Sequence, residues 1–110
     1  MYRQGDVLLV RLSDSDVEKL ERKQPVAAKN GRIVLLDGEA TGHAHVLPTD
    51  RVNGWWETDR RKGRLMIIEV KKTAALTHEE HDTIDIPPGI YIRIRQREYS
   101  PMRSIHYVRD

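Results

Sequence analysis

Arg64-Leu65-Met66-Ile67-Ile68-Glu69-Val70 is the strongest apolar run of the chain and predicts a central strand. Segments of similar make-up lie on both sides of it. Asp6 to Leu12 (DVLLVRL) reads as a first strand, and Arg32 to Leu36 as a second, opened by Gly31. Thr73 to Leu76 reads as a short strand. Thr83 to Ile86, the turn Pro87-Pro88-Gly89 and Ile90 to Tyr99 read as strand, turn and long strand, and Ser104 to Val108 as a last strand. Asp37-Gly38 is a turn signal, and Asn53-Gly54, just before Trp55 and Trp56, is the preferred pair for a tight hairpin. Ser13 to Gln24 is polar with helical charge spacing and is closed by Pro25. The expected fold is mostly β: a small antiparallel barrel or sandwich of about seven or eight short strands, with at most one short helix near residues 14–23.

The 110 residues fit one domain, 1–110, and no linker divides them. With 38% hydrophobic and 33% charged residues and no Phe, the core must be modest and built from Val, Ile and Leu. A homodimer would help such a chain by burying more apolar surface. The absence of cysteine excludes disulfides and thiolate metal sites. No segment has the apolar length of a signal peptide or a membrane span, so the expected compartment is the cytoplasm, with no membrane partner.

Charge is uneven along the chain. Residues 51–72 carry seven basic and three acidic side chains, residues 73–89 four acidic and no Lys or Arg, and residues 90–109 five Arg and one Glu. Two basic blocks thus flank an acidic segment that contains histidine, a pattern that suits an anion-binding surface or an ordinary solvated one. Along the strand from residue 90, alternation places Ile90, Ile92 and Ile94 on one face and Tyr91, Arg93, Arg95, Arg97 and Tyr99 on the other. Guanidinium forks fit phosphate oxygens, and tyrosine rings can stack on bases. That face is therefore a candidate site for RNA or a small nucleotide.

The histidines fall in two pairs. His43 and His45 share a strand face; His78 and His81 flank Glu79-Glu80 and can converge on a turn, while His106 stands alone. Two chemistries use such a set. Neutral imidazoles ligate zinc or another divalent transition metal, with Glu39, Glu79 or Glu80 available to complete the shell. Without a metal or other cofactor, one histidine accepts a proton from a nucleophile, such as the 2′-hydroxyl of RNA, and another donates one to the leaving group. Arginine then stabilises the charge on phosphorus.

Gly38-Glu39-Ala40-Thr41-Gly42-His43-Ala44-His45, followed by Pro87-Pro88-Gly89, resembles a cupin pattern, with Asp50 near the position of that family's Glu. Where the family has its later histidine this chain has Ile92, so the resemblance implies a β-barrel more than a cupin metal site. More of the chain resembles an uncharacterised family of small bacterial proteins. The matching segments are Gln4-Gly5-Asp6-Val7-Leu8-Leu9, the GExTGHAH stretch of residues 38–45, Leu76-Thr77-His78-Glu79-Glu80-His81, Pro88-Gly89 with Tyr91, and Arg95-Gln96-Arg97-Glu98-Tyr99.

Three functions stay open. The first is a metal-independent phosphodiesterase or ribonuclease acting on RNA or a cyclic oligonucleotide messenger. A ring nuclease for cyclic oligoadenylate in antiviral signalling is one form of it. Its acid and base would be His43, His45, His78 and His81, with Arg93, Arg95 and Arg97 on phosphate and Tyr91 or Tyr99 stacking. The second is a cupin-like metal protein ligated by the same four histidines. The third is a non-enzymatic adaptor for nucleic acid or protein. Three arginines on one strand face favour the first.

Overall fold

The computed structural model describes residues 1–37 and 42–96. β7 (Gly63–Val70) lies inside a six-stranded antiparallel sheet ordered β1-β2-β10-β7-β6-β3. Its neighbours are β6 (Val52–Asp59) and β10 (Gly89–Arg95); beyond them lie β2 (Val7–Arg11), β1 (Tyr2–Gln4) and β3 (Gln24–Pro25). Leu65 to Ile68 of β7 form an unbroken apolar run because both faces of this sheet are covered. Met66, Ile68 and Val70 enter one core and Leu65 and Ile67 the other. Pro25, which cannot donate to a ladder, sits in the edge strand β3.

The first core is closed by a second layer. β4 (Arg32–Asp37) pairs with β5 (Ala44–Pro48), and β8 (Ala74–Leu76) with β9 (Ile84–Ile86). The two hairpins are joined by reciprocal backbone hydrogen bonds between Val46 and Thr77, 3.0 and 3.1 Å long. Ile33, Leu35, Leu47, Ala74, Leu76 and Ile86 of this layer meet Val7, Leu9, Met66, Ile68 and Tyr91 of the large sheet. The second core, on the outer face, gathers Leu8, Trp55, Ile67, Ile92 and Ile94 under Val10, Leu12 and Leu20. Helix α1 (Asp14–Glu18) is a short element capped by Ser13, whose Oγ accepts the Asp16 N–H at 3.3 Å. No helix among the described residues is long and apolar enough to cross a membrane.

The fold is mostly β, as expected, with ten short strands among the described residues rather than seven or eight. The six-stranded sheet ends at β1 and β3, so the barrel alternative is corrected to two open layers. Asn53-Gly54 is not a hairpin turn but part of β6. The glycine serves close packing: a Cβ on Gly54 would stand 3.0 Å from Ile33 Cδ1 and 3.1 Å from Ile68 Cδ1. The turn of the β6–β7 hairpin is built instead by Asp59, whose Oδ1 accepts the N–H groups of Arg61 and Lys62, and by Gly63 at φ +79°. The strand expected over 104–108, with His106, lies outside the described residues.

Candidate functional site

The Val46–Thr77 bridge brings the two histidine pairs together. It fixes β5 beside the end of β8, so His43 and His45 meet the loop that carries His78 and His81. The ring centroids of His45 and His78 are 4.3 Å apart, those of His78 and His81 4.7 Å, and those of His45 and His81 5.7 Å. His43 stands edge-on to His78 at 5.7 Å. One ligand atom from each of His45, His78 and His81 lies within 4.8 Å of the other two. The cluster grades from buried His45 through partly buried His78 and His43 to exposed His81, so it opens to solvent on one side.

Each residue of the Thr77–Asp82 loop is tied to a neighbour or to the loop itself, apart from the packed ring of His81. The Glu79 carboxylate accepts the Ala44 N–H at 2.8 Å, and this bond holds its carboxyl below the usual range. Glu80 Oε1 lies 3.4 Å from His43 Nδ1. His81 packs against Gly5, where a Cβ would stand 2.6 Å from its Nε2. Asp82 contributes its carbonyl to Gln4, which donates from Nε2 to the carbonyls of Asp82 and Leu76, both at 2.9 Å.

Gln4 also fixes the chemistry of His45. Because its NH₂ group is used on two carbonyls, its Oε1 is the atom that faces His45 Nδ1 at 2.9 Å. A carbonyl oxygen only accepts, so His45 carries its proton on Nδ1 and turns the Nε2 lone pair into the cluster. Burial first, then the positive charge it would face on His78 and His81, pulls the His45 pKa down to about 4. The ring is therefore a neutral donor at neutral pH. His78 has the opposite polarity, since its Nδ1 accepts the Glu80 N–H at 3.0 Å. In neutral His78 the proton is consequently on Nε2.

The arginine face is placed differently from the sequence expectation. Tyr91 is fully buried in the first core, and its hydroxyl donates to the Pro87 carbonyl at 2.7 Å. Burial raises its pKa. Its ring packs edge-to-face on Tyr2 and is closed to a nucleotide base, which corrects its proposed stacking role. The face shared by Tyr91, Arg93 and Arg95 is the one that looks between the layers, so it is covered at residue 91. At Arg93 and Arg95, both partly buried, it borders a cavity of about 420 Å³ that Leu36, Lys62 and Arg64 also line among the described residues. Arg97, Tyr99 and Glu39 lie outside the described residues.

Sequence reasoning passed over Gln4 and Gly5 as site residues. A polar residue at an inward position of a short strand, followed by glycine, was the available signal. Residues 3–96 match the model of a family described as a domain of unknown function (DUF8820), in keeping with the resemblance to an uncharacterised family. No curated protein and no solved structure matches the chain.

Proposed function

We propose that this chain, which belongs to the DUF8820 family of domains of unknown function, is a metalloprotein whose His45, His78 and His81 hold one divalent transition metal. The observation that carries this reading is the convergence of three imidazole ligand atoms within 4.8 Å. Three imidazoles with a solvent-facing side match the open type of zinc site, in which a bound water becomes acidic enough to act as a nucleophile near neutral pH. His45 supports the reading further. It is neutral and oriented by an amide acceptor behind it, the arrangement that positions metal-ligating histidines in general. His43, paired with Glu80, stands at the rim, where it can exchange protons with a ligand of the centre.

The test is metal analysis of the purified protein, followed by chelation and titration with zinc. One equivalent per chain is expected, and it should be lost in the His45→Ala, His78→Ala and His81→Ala variants. Chelated protein that takes up no zinc, cobalt or nickel would overturn the reading.

A second reading has its own support. His45 and His78 carry their protons on opposite nitrogens, and their rings are 4.3 Å apart. Such a pair offers a proton acceptor and an N–H donor side by side, the two roles that metal-free phosphodiester cleavage divides between histidines once the donor takes up a second proton. Cleavage of RNA or a cyclic oligoadenylate that is unaffected by chelator but lost in His45→Ala and His78→Ala would favour it over the metal centre.

A further inference from the structure

β3 covers only part of the edge of β6. Gln24 and Pro25 pair with Trp56 and Trp55, and the Val26 N–H bonds the Gly54 carbonyl at 2.9 Å. The chain then leaves the sheet and turns back through the Lys29–Arg32 bridge into β4. On the other side of β6, the Lys71 N–H bonds the Arg51 carbonyl at 2.8 Å. Main-chain groups alternate in direction along an antiparallel strand, so those of Arg51 and Asn53 serve β7 and those of Val52 and Gly54 face the β3 side. Val52 lies two residues beyond the last contact with the β3 segment. Its N–H and C=O have no partner on that side among the described residues.

A cavity of about 350 Å³ lies at this gap. Val26, Ile33 and Val52 give it apolar walls, and Arg22 and Glu69 bring a cation and a carboxylate to it. Glu69 pairs with Ile90 at the start of β10, and Ile33 stands at the start of β4, so the cavity lies away from the end of the molecule that holds the histidines. Arg22 is placed by three constraints. Its φ of +57° is a left-handed conformation that side chains disfavour. The Glu57 carboxylate holds the backbone there, one oxygen accepting the Glu21 N–H at 3.0 Å and the other the Arg22 N–H at 2.9 Å. The guanidinium lies over the Trp55 ring, 4.9 Å from its centroid, which orients its plane and leaves the N–H edges for an acceptor. A strained backbone kept by a dedicated clamp points to a function for the side chain it carries.

Trp55 and Glu69 share one face of the sheet, because Glu69 stands opposite Asn53, two residues from Trp55 on β6. Two steps along a strand and one strand across separate the position under Arg22 from Glu69 by about 8 Å. An extended dipeptide spans about 7 Å. We infer that this cavity binds a dipeptide by both of its charged ends. The carboxylate sits on the Arg22 fork and the ammonium on Glu69, with the peptide unit along the main-chain groups of Val52 and an apolar side chain against Val26 and Ile33. Opposite charges in one cavity select a zwitterion over a simple anion or cation. The volume suffices for a ligand of that size. The site is independent of the proposed metal centre.

The experiment is calorimetric titration of the chelator-treated full chain with valyl-valine and with its blocked forms acetyl-valyl-valine, valyl-valinamide and acetyl-valyl-valinamide. Valyl-valine is expected to bind, and blocking either end should weaken it by about fivefold or more, the scale of a lost charge-assisted hydrogen bond. Arg22→Gln should bind valyl-valine and valyl-valinamide alike, and Glu69→Gln should bind valyl-valine and acetyl-valyl-valine alike. A merely structural role for these residues would not produce that crossed pattern. Ala28→Trp, at an exposed position on the cavity wall, should fill the cavity and abolish binding without touching either charge. No binding of valyl-valine to the parent chain at about 10 mM would overturn the proposal. Equal affinity for all four compounds would overturn it too, as would charge variants that lack the crossed pattern or an Ala28→Trp variant that binds like the parent. Zinc should leave the affinity unchanged; binding seen only with zinc would move the dipeptide to the histidine centre and overturn the cavity. A chain that binds the dipeptide but no metal refutes the metal centre alone, and one that binds metal but no dipeptide refutes the cavity alone.

Discussion

Oε1 of Gln4 lies 2.9 Å from Nδ1 of His45, and this one contact sets which nitrogen of the buried imidazole is available. The same side chain holds the carbonyls of Leu76 and Asp82, the two ends of the segment that carries His78 and His81. Gln4→Ala leaves three buried or part-buried polar groups short of a partner, with an expected loss of about 2–4 kcal/mol in stability. Zinc affinity should fall by about 10–100-fold, the range for removing the partner behind a ligating histidine. Gln4→Glu is the sharper variant, because its second oxygen faces two carbonyls that need a donor. Denaturant unfolding with zinc titration checks both, and wild-type affinity in Gln4→Ala would refute the orienting role.

Acid should destabilise the metal-free protein in a defined window. The His45 pKa is about 4 in the folded chain against the ordinary 6.5 of the unfolded one. The unfolded state therefore takes up its proton first as pH falls. Stability contributed by neutral His45 is full above pH 6.5, declines below it and is exhausted near pH 4. A gap of that size corresponds to about 3 kcal/mol. Glu79 acts in the same direction at lower pH, since its depressed carboxyl favours folding only while ionised. Urea midpoints between pH 7 and 4 measure the effect, and a His45→Gln variant should flatten the upper part of the curve.

Gly5 is required by two independent constraints. Its φ of +53° disfavours any side chain, and a Cβ would stand 2.6 Å from His81 Nε2. Gly5→Ala should cost about 1–2 kcal/mol from the backbone alone. It should also push His81 out of the cluster and weaken zinc binding. Gly63→Ala is the control: φ is +79° there as well, but nothing lies within 4 Å of the added methyl. It should lose stability while keeping metal affinity. Equal affinity losses in the two variants would show that His81 is not the cause.

What was legible in the sequence follows from the range of the interactions involved. β7 could be read because burial on both faces leaves four consecutive apolar residues, Leu65 to Ile68, in local sequence. The histidines could be recognised as residue types, but their convergence depends on the Val46–Thr77 bridge, which no spacing rule contains. Gln4 acts on groups 41 and 72 residues away, so nothing beside it in the chain announces its role. Asn53-Gly54 misled because glycine has two uses, and here the close approach of Ile33 and Ile68 rather than a turn demands it. The alternation that grouped Tyr91 with Arg93 and Arg95 was correct as geometry. It could not show that the shared face is buried under the second layer at Tyr91 but only partly buried at Arg93 and Arg95.

Metal binding must alter one hydrogen bond of the loop. His78 Nδ1 accepts the Glu80 N–H at 3.0 Å, so its neutral ring carries the proton on Nε2. If the metal takes Nδ1, the Glu80 N–H loses its acceptor. If the metal takes Nε2, the proton moves to Nδ1, which then repels the same N–H. Both routes release the Glu80 amide, whereas the Ala44 amide stays on the Glu79 carboxylate. Zinc should therefore shift the Glu80 amide resonance upfield and speed its hydrogen exchange, leaving Ala44 protected. In the metal-free acid–base alternative this bond persists, because it keeps the His78 proton on Nε2. A Glu80 amide that is unchanged at saturating zinc would exclude His78 as a ligand and leave His45 and His81 too few to hold the metal without His43. The His43→Ala variant, otherwise expected to lose less than about tenfold in affinity, would then lose binding altogether.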